Sequence, residues 1–480
     1  MSAPVPTRSD PANLLLITFD QWSGDWGDPY SPVVSLPGLQ RLAKRGWTAR
    51  RCYTSSPHCV PARMSWITGL EPSQLGVTRN ADVSLPADAP SLIRPLQEQG
   101  WHTALVGKTH WTSHFQNNDL RENLPLMQAL GFEHVIEVAG PRALRRVECE
   151  LTDAWHEAGV LEKQRKDLRR RYGQGRSSAA WEVRPSVLPQ ELYPDIWIAE
   201  RALKELASMP TNQPWLLWVS FVGPHEPFDT PAPWRGRHAK QLLPTAYQTP
   251  TWITELPNEC EMKRAAAGWH GKLLDKEIKA CRADYADHLQ LLDDQLQRLL
   301  DGLNQRQDQS RTAVLLTSDH GDMLGDAGML YKGTFLEGAV RVPCIYSCPS
   351  GVKPNLHGGV STRPVQLTGL LAQVLKNLPT GGSDAHLHKW KQQQLGAVVE
   401  FGRERLLVQG PRKLVTDNKG VPIWATQIGR DPQEQHNLVK STNWPRARWQ
   451  RLLKWSREET TRRNQTNWLW RSLPLTDTQL

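Results

Sequence analysis

The sequence has no apolar run that approaches the roughly 20 residues a membrane-spanning helix needs. Its first apolar stretch, residues 14–19, is far shorter than that. The leader from Met1 to Ala12 carries an Arg and an Asp-Pro pair but no apolar core, so it does not match a secretory signal. We therefore expect a protein without a membrane span that works in the cytoplasm.

Cysteine is also scarce, with seven residues in a chain of 480 and no dense spacing among them. So sparse a set excludes a disulfide framework, and a reducing compartment would keep these residues as thiols. Cys344 and Cys348 lie close together in a β-like apolar stretch. Neither a second cysteine pair nor a histidine lies beside them to complete a zinc site, so we interpret both as buried structural thiols.

Positive charge is present in excess, at a net +9, and it is concentrated in two segments. One is a basic insertion at about residues 140–185, and the other is the tail at 446–471. The arginine runs and tail tryptophans are Arg145-Arg146, Arg169-Arg170-Arg171, Trp449, Trp455, Trp468 and Trp470. Interleaved arginines and aromatics can bind nucleic acid, but no nucleic-acid-binding motif accompanies them. We expect helices that bury tryptophan and display arginine, and no nucleic-acid partner.

Helical and strand patterns alternate along most of the chain. Residues 13–19 form a continuous apolar run, which is typical of a strand covered on both faces in a parallel sheet. The predicted helices cover residues 39–47, 90–99, 195–207 and 283–303, and the further predicted strands cover 48–53, 102–106, 215–222 and 312–317. This alternation predicts an α/β fold with a large, mostly parallel sheet flanked by helices.

The pattern changes near residue 385, where short β-like runs at 397–400, 406–408 and 413–416 precede the basic tail. We predict a catalytic domain over residues 1–384 and a smaller C-terminal α+β domain over 385–480. Within the first, residues 227–271 are rich in Pro, Trp and polar side chains, which predicts a long loop over the pocket.

Polar clusters follow the predicted strands at their carboxyl ends, where open parallel sheets bind ligands. These clusters are Asp20-Gln21, Gly107-Lys-Thr-His110, Gly223-Pro-His225 and Ser318-Asp-His-Gly-Asp322. Residues far apart in the chain could thus converge on one site, as catalysis requires.

The strongest short signal is Cys59-Val-Pro-Ala-Arg63, which precedes a predicted helix and a Thr-Gly pair ending at Gly69. A cysteine at a helix N-terminus lies where backbone N–H groups favour an anion. The motif resembles the Cys-x-Pro-x-Arg signature of the formylglycine-dependent sulfatases in the alkaline phosphatase superfamily. The resemblance implies that a separate maturation enzyme oxidises Cys59 to formylglycine. Its hydrated aldehyde would attack the ester, and its second hydroxyl would later expel the bound anion.

The same resemblance implies one bound divalent metal, with ligands Asp20, Gln21, Cys59, Asp319 and His320. Many sulfatases have an Asp in place of Gln21 and an Asn in place of His320. The exchange removes a negative charge and adds an imidazole, which weakens the case for calcium and strengthens that for manganese.

Further positions match the catalytic residues of the family. The resemblance implies that Arg63 stabilises the alkoxide, that Lys108 holds the formylglycine or the anion, and that His110 takes the proton of the diol. It also implies that His225 and Lys332 contact the ester oxygens and that one of them protonates the leaving alcohol.

Three longer stretches extend the resemblance. Ser318-Asp-His-Gly-Asp-Met-Leu-Gly-Asp326 and Glu337 to Pro343 resemble the choline sulfatase, arylsulfatase and phosphonate monoester hydrolase branches, and Asp431-Pro-Gln-Glu-Gln-His-Asn437 resembles a segment of the family in general. They imply a hydrolase that cleaves a small-molecule or carbohydrate sulfate ester. Two alternatives stay open: a phosphonate monoester or phosphodiester hydrolase with the same nucleophile, and a catalytically silent relative that binds a polyanion.

Overall fold

The computed structural model describes residues 12–114, 118–173, 180–269, 271–349, 359–380, 389–390, 393–439 and 446–465. The strands are β1 Asn13–Asp20, β2 Trp47–Ala49, β3 Cys52–Tyr53, β4 His102–Gly107, β5 His134–Glu137, β6 Trp215–Pro224, β7 Thr312–Ser318, β8 Arg341–Val342, β9 Cys344–Ser347, β10 Val360–Ser361, β11 Val365–Gln366, β12 Ala397–Phe401, β13 Glu404–Gln409, β14 Arg412–Asp417 and β15 Pro422–Gln427. The α-helices are α1 Pro37–Arg45, α2 Cys59–Thr68, α3 Pro72–Leu75, α4 Arg94–Glu98, α5 Leu124–Ala129, α6 Glu150–Glu157, α7 Leu161–Tyr172, α8 Pro194–Ser208, α9 Glu261–Trp269, α10 Asp275–Asn304, α11 Glu337–Val340, α12 Leu367–Asn377 and α13 Arg446–Gln465.

An eight-stranded sheet organises the larger part of the chain, in the order β10-β2-β9-β7-β1-β6-β4-β5. Its central strands β7, β1, β6 and β4 are parallel, and only β9 runs antiparallel to its neighbours β2 and β7. A separate antiparallel sheet contains β12 to β15 in sequence order. The predicted fold class, a mostly parallel α/β sheet with a small C-terminal α+β unit, is confirmed.

Strand β1 shows why its sequence is apolar throughout, because every one of its residues is buried. Leu15 and Ile17 pack on one face with residues of α1, α8 and α10, while Leu14 and Leu16 pack on the other with residues of α2 and α12. A strand covered on both faces cannot alternate apolar and polar residues. The carboxyl ends of β1, β4, β6 and β7 are thereby left as the edge where polar side chains collect.

The C-terminal sheet is covered on both faces too. Val399 and Leu406 face Phe335 of the larger unit. Leu407 on the opposite face packs with Trp449 of α13, which is buried as predicted. The predicted tail residues Trp468 and Trp470, and the predicted boundary at residue 384, lie outside the described residues.

Several predicted elements differ in extent from the observed ones. Helix α4 is shorter than predicted, because Pro95 can occupy only its first turn. Strand β15 was not predicted, and the expected covering loop at 227–271 contains helix α9. In the described ranges, no helix is both long enough and apolar enough to cross a membrane.

The described part of the basic insertion contains the helices α6 and α7. Arg169 and Arg170 are exposed, but Arg171 is fully buried and donates to Asp167 Oδ2 over 2.6 Å. The expectation that the insertion displays all of its arginines is therefore wrong for Arg171. Its apolar stem lies on the inner side of an amphipathic helix, where an ion pair compensates its charge.

Candidate active site

Neighbouring strands bring Asp20 and Asp319 together. Asp20 is the last residue of β1, Asp319 follows β7, and the two strands pair in parallel with Phe19 opposite Ser318. The backbone N–H of Asp319 donates to the Phe19 carbonyl over 3.2 Å. Both carboxylates are completely buried, so each needs charged or polar partners at this edge.

Cys59 is the first residue of helix α2, and its sulfur faces these carboxylates. Cys59 Sγ lies 3.1 Å from His320 Nε2 and 3.8 Å from Asp20 Oδ1, and it accepts a hydrogen bond from Lys332 Nζ over 3.0 Å. The ligand atoms of Asp20, Cys59, Asp319 and His320 all lie within 4.8 Å of one another. Four potential metal ligands thus surround one point.

The remaining atoms of the cluster suit a divalent metal. His320 Nδ1 donates to the Gly321 carbonyl over 3.0 Å, which leaves Nε2 as the ligating nitrogen. Gln21 donates its amide Nε2 to Asp322 at 2.6 Å and Glu226 at 3.1 Å, whereas its Oε1 is buried without a hydrogen-bond partner among the described residues. Two carboxylates, one imidazole and the atom carried by residue 59 form a donor set that fits a hard or borderline cation.

Two buried cations hold the carboxylates in place. Lys108 Nζ contacts Asp20, and Arg63 Nε donates to Asp319 Oδ2 over 2.6 Å. Arg63 Nη1 also donates to the Lys108 carbonyl at 2.8 Å and to Ser220 Oγ at 2.9 Å, so one guanidinium links the ends of β4, β6 and β7. Burial alone would raise the pKa of Asp20, but the combined positive charges around it, with that of Lys108 the largest, hold that pKa well below its usual range.

Lys108 can reach Asp20 because Gly107 ends strand β4 with no side chain. A Cβ at Gly107 would lie only 1.8 Å from the Ser220 carbonyl oxygen, and its φ of +117° is one that other residues rarely adopt. The Lys108 N–H donates to that same carbonyl over 2.9 Å. The glycine therefore fixes the path of the chain into Lys108.

The positive charges also act on the Cys59 thiol. Burial and Asp20 would raise its pKa, yet Lys108, Lys332 and His320 lower the pKa of Cys59 to about 7. The same point of the site therefore favours a negative charge on any atom carried by residue 59.

His225 follows strand β6 and lies beside Glu226. Its Nδ1 is 2.7 Å from the Glu226 carbonyl and 3.2 Å from Glu226 Oε2, so Nδ1 carries the proton of the neutral ring. Burial lowers the pKa of His225 to about 3, so the ring is neutral at neutral pH. Burial would raise the pKa of Glu226, but His225 and Arg142 bring that pKa down to about 2.

His110 makes no hydrogen bond to Cys59 in the part of the chain that the structure describes. Its ring lies 4.7 Å from the ring of His114, whose Nε2 is 3.2 Å from Glu137 Oε1. Burial and the charge of Lys108 hold the pKa of His110 well below its usual value, so this ring is neutral, and its Nδ1 has no hydrogen-bond partner among the described residues.

The structure thus brings the predicted residues together in one group, whose members differ in whether they are in direct contact. Direct contacts connect Asp20, Cys59, Arg63, Lys108, Asp319, His320 and Lys332, and Gln21 joins them through its N–H to Asp319 Oδ1 at 3.0 Å. His110 and His225 make no hydrogen bond to Cys59 among the described residues, but burial and the charge of Lys108 lower the pKa of both rings.

Sequence reasoning missed four polar residues that support this constellation: Glu226, Asp322, His114 and Glu137. Glu226 and Asp322 lie inside the motifs that flagged His225 and Asp319, so their position in the sequence was a usable signal. His114 and Glu137 carry no such signal, because they are brought together only by the turn after β4 and the end of β5.

Comparisons with known proteins place the chain in a family. The family model described as Sulfatase matches residues 12–378. An arylsulfatase of Clostridium perfringens is 24% identical over 453 residues, which cover 90% of this chain and 91% of that protein. A choline-sulfatase of Rhizobium meliloti is 28% identical over 72% of this chain and 64% of its own length. The solved structure of a phosphonate monoester hydrolase of Agrobacterium radiobacter shares the fold, with a TM-score of 0.74 at 21% identity over 94% of this chain and 96% of that one.

Proposed function

The chain belongs to the sulfatase family, and from this membership we propose that it hydrolyses sulfate monoesters of small organic or carbohydrate alcohols, with residue 59 at the reacting centre. One observation supports the proposal most strongly. A buried cysteine at the start of α2 lies within hydrogen-bond distance of both Lys332 and His320, beside two carboxylates that can hold a metal. A structural thiol has no need of such neighbours.

We assign Cys59 as the precursor of formylglycine, which a separate maturation enzyme would install. Arg63 and Lys108 fix the carboxylates and add positive charge where a negative charge develops. Lys332 stabilises the anionic form of residue 59 directly. Neutral His110 accepts the proton that residue 59 releases when the anion leaves.

We assign the protonation of the leaving alcohol oxygen to His225. Its Nδ1 proton is committed to the Glu226 carbonyl, so only Nε2 can exchange a proton with the substrate. The negative charge of a bound sulfate, added to that of Glu226, favours uptake of a proton from solvent at Nε2, which the ring then gives to the oxygen of the departing alcohol.

One divalent ion, calcium or manganese, would be held by Asp20, Asp319, His320, residue 59 and the free oxygen of Gln21. When bound, it would polarise the sulfate and stabilise an oxyanion on residue 59. His320 favours manganese over calcium, because imidazole is a poor ligand for the harder ion.

We also propose that the protein works in the cytoplasm. All seven cysteines are buried, and none of them forms a disulfide bond. Because a reducing compartment keeps thiols unpaired, this set of residues suits it.

The test combines the mass of residue 59 with turnover. Native material should cleave an aryl sulfate such as p-nitrophenyl sulfate, and its Cys59 peptide should have the mass of formylglycine. Active enzyme whose Cys59 peptide is entirely thiol would exclude the proposed nucleophile. Fully converted protein that cleaves no sulfate ester would exclude the proposed reaction.

A second candidate is the hydrolysis of phosphonate monoesters or phosphodiesters with the same nucleophile. It is favoured by Gln21 and His320, which replace the Asp and Asn of many sulfatases, and both lie at the candidate metal site. We rank it second because the cationic and polar groups around residue 59 suit a sulfate whose three terminal oxygens all need partners.

A further inference from the structure

Arg142 belongs to the basic insertion, and its segment touches the reacting centre. A Cβ on Gly140 would lie 3.0 Å from Lys108 Nζ, so the chain passes directly over the ammonium that holds Asp20. Two residues further on, Arg142 Nη2 donates to Glu226 Oε1 over 2.6 Å. Since Glu226 is the neighbour of His225, Arg142 borders the side of the site that we assign to the leaving alcohol.

The guanidinium of Arg142 is held firmly and yet is open to solvent. Its Nε and Nη2 both donate to Glu226, and Cζ lies 4.9 Å from the ring centre of Tyr172 and 5.8 Å from that of Tyr331. Nevertheless, 53% of the Arg142 side chain is exposed. Nη1 has no hydrogen-bond partner among the described residues, so a fixed donor is left for a ligand.

The two tyrosines add further donors. Tyr172 and Tyr331 are each only 9% exposed, and both hydroxyls are buried without a hydrogen-bond partner in the part of the chain that the structure describes. Burial and the charge of Glu226 raise the pKa of both hydroxyls well above the usual value, so both keep their protons. Buried polar groups are nearly always paired, so each hydroxyl can still take a partner that the described residues do not supply.

The charges at this place select an anion. The carboxylate of Glu226 is already shared by Arg142, Gln21 and His225. Burial and the nearby charges of Arg146 and Arg142 lower the pKa of Arg145, as expected where three guanidinium groups crowd together. A quaternary ammonium such as choline would have to displace Arg142 from the faces of Tyr172 and Tyr331.

We propose that Arg142, Tyr172 and Tyr331 form a subsite for a second oxyanion, a carboxylate or another sulfate, on the alcohol half of the substrate. The inference rests on the proposed sulfatase function and adds a substrate class to it. Preferred substrates are sulfate esters of acidic alcohols, such as sugars that carry a carboxylate or a further sulfate.

The test uses matched pairs of aryl sulfates on enzyme with residue 59 fully converted. The pairs are the ortho, meta and para isomers of (carboxymethyl)phenyl sulfate and their primary amides. In each compound a methylene group separates the acid or amide from the aromatic ring that carries the leaving oxygen. For at least one isomer, wild-type kcat/KM should favour the carboxylate over the amide by about tenfold or more. Arg142→Gln should abolish this preference, and Arg142→Lys should retain part of it, because the ammonium keeps the charge but loses the planar fork.

Two further variants separate contact from general charge. Arg146→Gln removes the same charge from an exposed residue nearby and should leave the preference intact. Tyr172→Phe removes one unpartnered hydroxyl and should lower the preference without lowering the melting temperature. An equal loss of the carboxylate preference in Arg146→Gln would overturn the proposed subsite. The absence of that preference for every isomer in the wild type would overturn it too. Failure to cleave the amides as well as the acids would instead contradict the proposed sulfatase function.

Discussion

The ammonium group of Lys332 donates a hydrogen bond to the sulfur of Cys59 over 3.0 Å. No other lysine in the described ranges contacts this atom. Burial does not remove the charge of Lys332, because Cys59 and Asp20 raise the pKa of Lys332 above its usual value. A positive charge therefore faces the sulfur of residue 59.

Replacing that charge should reduce catalysis severely. On fully converted enzyme, Lys332→Met should lower kcat/KM for p-nitrophenyl sulfate by roughly 100- to 1000-fold, because one fixed donor to a developing oxyanion is lost. Lys332→Arg should retain more activity, since it keeps the charge. Lys276→Met, at an exposed position, is the control and should leave the rate unchanged. A loss of less than about threefold in Lys332→Met would show that its contact with residue 59 is not used in catalysis.

Asp319→Asn should remove both metal and turnover. The amide keeps the shape that accepts from Gln21 and His320, but it lacks the negative charge that balances a divalent ion. Metal content by elemental mass spectrometry and kcat should fall together. Asp326→Asn on the same loop, where the carboxylate faces Arg282, should retain the metal. Full metal occupancy in Asp319→Asn would show that the ion is held elsewhere.

The exposed arginines of α7 provide a test of electrostatic steering. We predict that the double variant Arg169→Gln/Arg170→Gln lowers kcat/KM most at low ionic strength, because exposed charges are screened beyond about 8 to 10 Å at physiological salt. Arg171 is left intact, since its buried pair with Asp167 supports the helix. The measurement is kcat/KM over a salt series. An effect of equal size at every salt concentration would contradict steering.

Asp284 makes stability depend on pH. Burial and the nearby charge of Asp229 raise the pKa of Asp284 from 3.8 to about 7. The folded state then binds the proton more tightly than the unfolded state, so this residue destabilises the fold increasingly as pH rises from about 4 to about 7, by roughly 4 kcal/mol in the limit. The melting temperature of Asp284→Asn should therefore rise relative to that of wild type as the pH increases across that window, and the difference should stay constant at higher pH.

The exposed Asp301 is the control for this titration, since Asp301→Asn should shift the melting temperature little at any pH. A melting-temperature difference between Asp284→Asn and wild type that does not change between about pH 4 and pH 8 would mean that Asp284 titrates as an ordinary surface carboxylate does.

The choice between sulfur and phosphorus esters can be measured directly. We expect kcat/KM to be higher for p-nitrophenyl sulfate than for the matched phenylphosphonate and phosphodiester. A phosphodiester replaces one terminal oxygen with a bulky group, so one donor of the site stays unpaired at a cost of about 1 to 3 kcal/mol. A clear preference for either phosphorus ester would reverse the ranking and leave the nucleophile and the metal site as proposed.

The strand ends that form the site could be predicted from the sequence because two rules apply together. Apolar runs such as residues 13–19 mark strands buried on both faces, and parallel neighbours end at one edge. Asp20 and Asp319 could therefore be placed side by side without a structure, which the pairing of β1 with β7 confirms. The short motif around Cys59 added the third partner.

What escaped prediction depends on contacts that no local pattern encodes. Arg171 and Arg170 are identical neighbours in sequence, yet one is buried and the other exposed, because only the packing of α7 decides which side each faces. Glu137 and His114 meet through a turn whose path is set by tertiary packing. Strand β15 is recognisable only once β14 provides its hydrogen-bond partner.

Because Cys59 is buried, its proposed oxidation would have to precede folding of the chain. Only 2% of this residue is exposed, and every residue of α2 around it is buried as well. An oxidising enzyme could not take this segment into its own active site once the chain has folded. The proposed conversion would therefore have to occur on the nascent or unfolded polypeptide, in competition with folding. A chain that folds first would be stable and inactive, so the specific activity of a preparation would record the outcome of that race during synthesis.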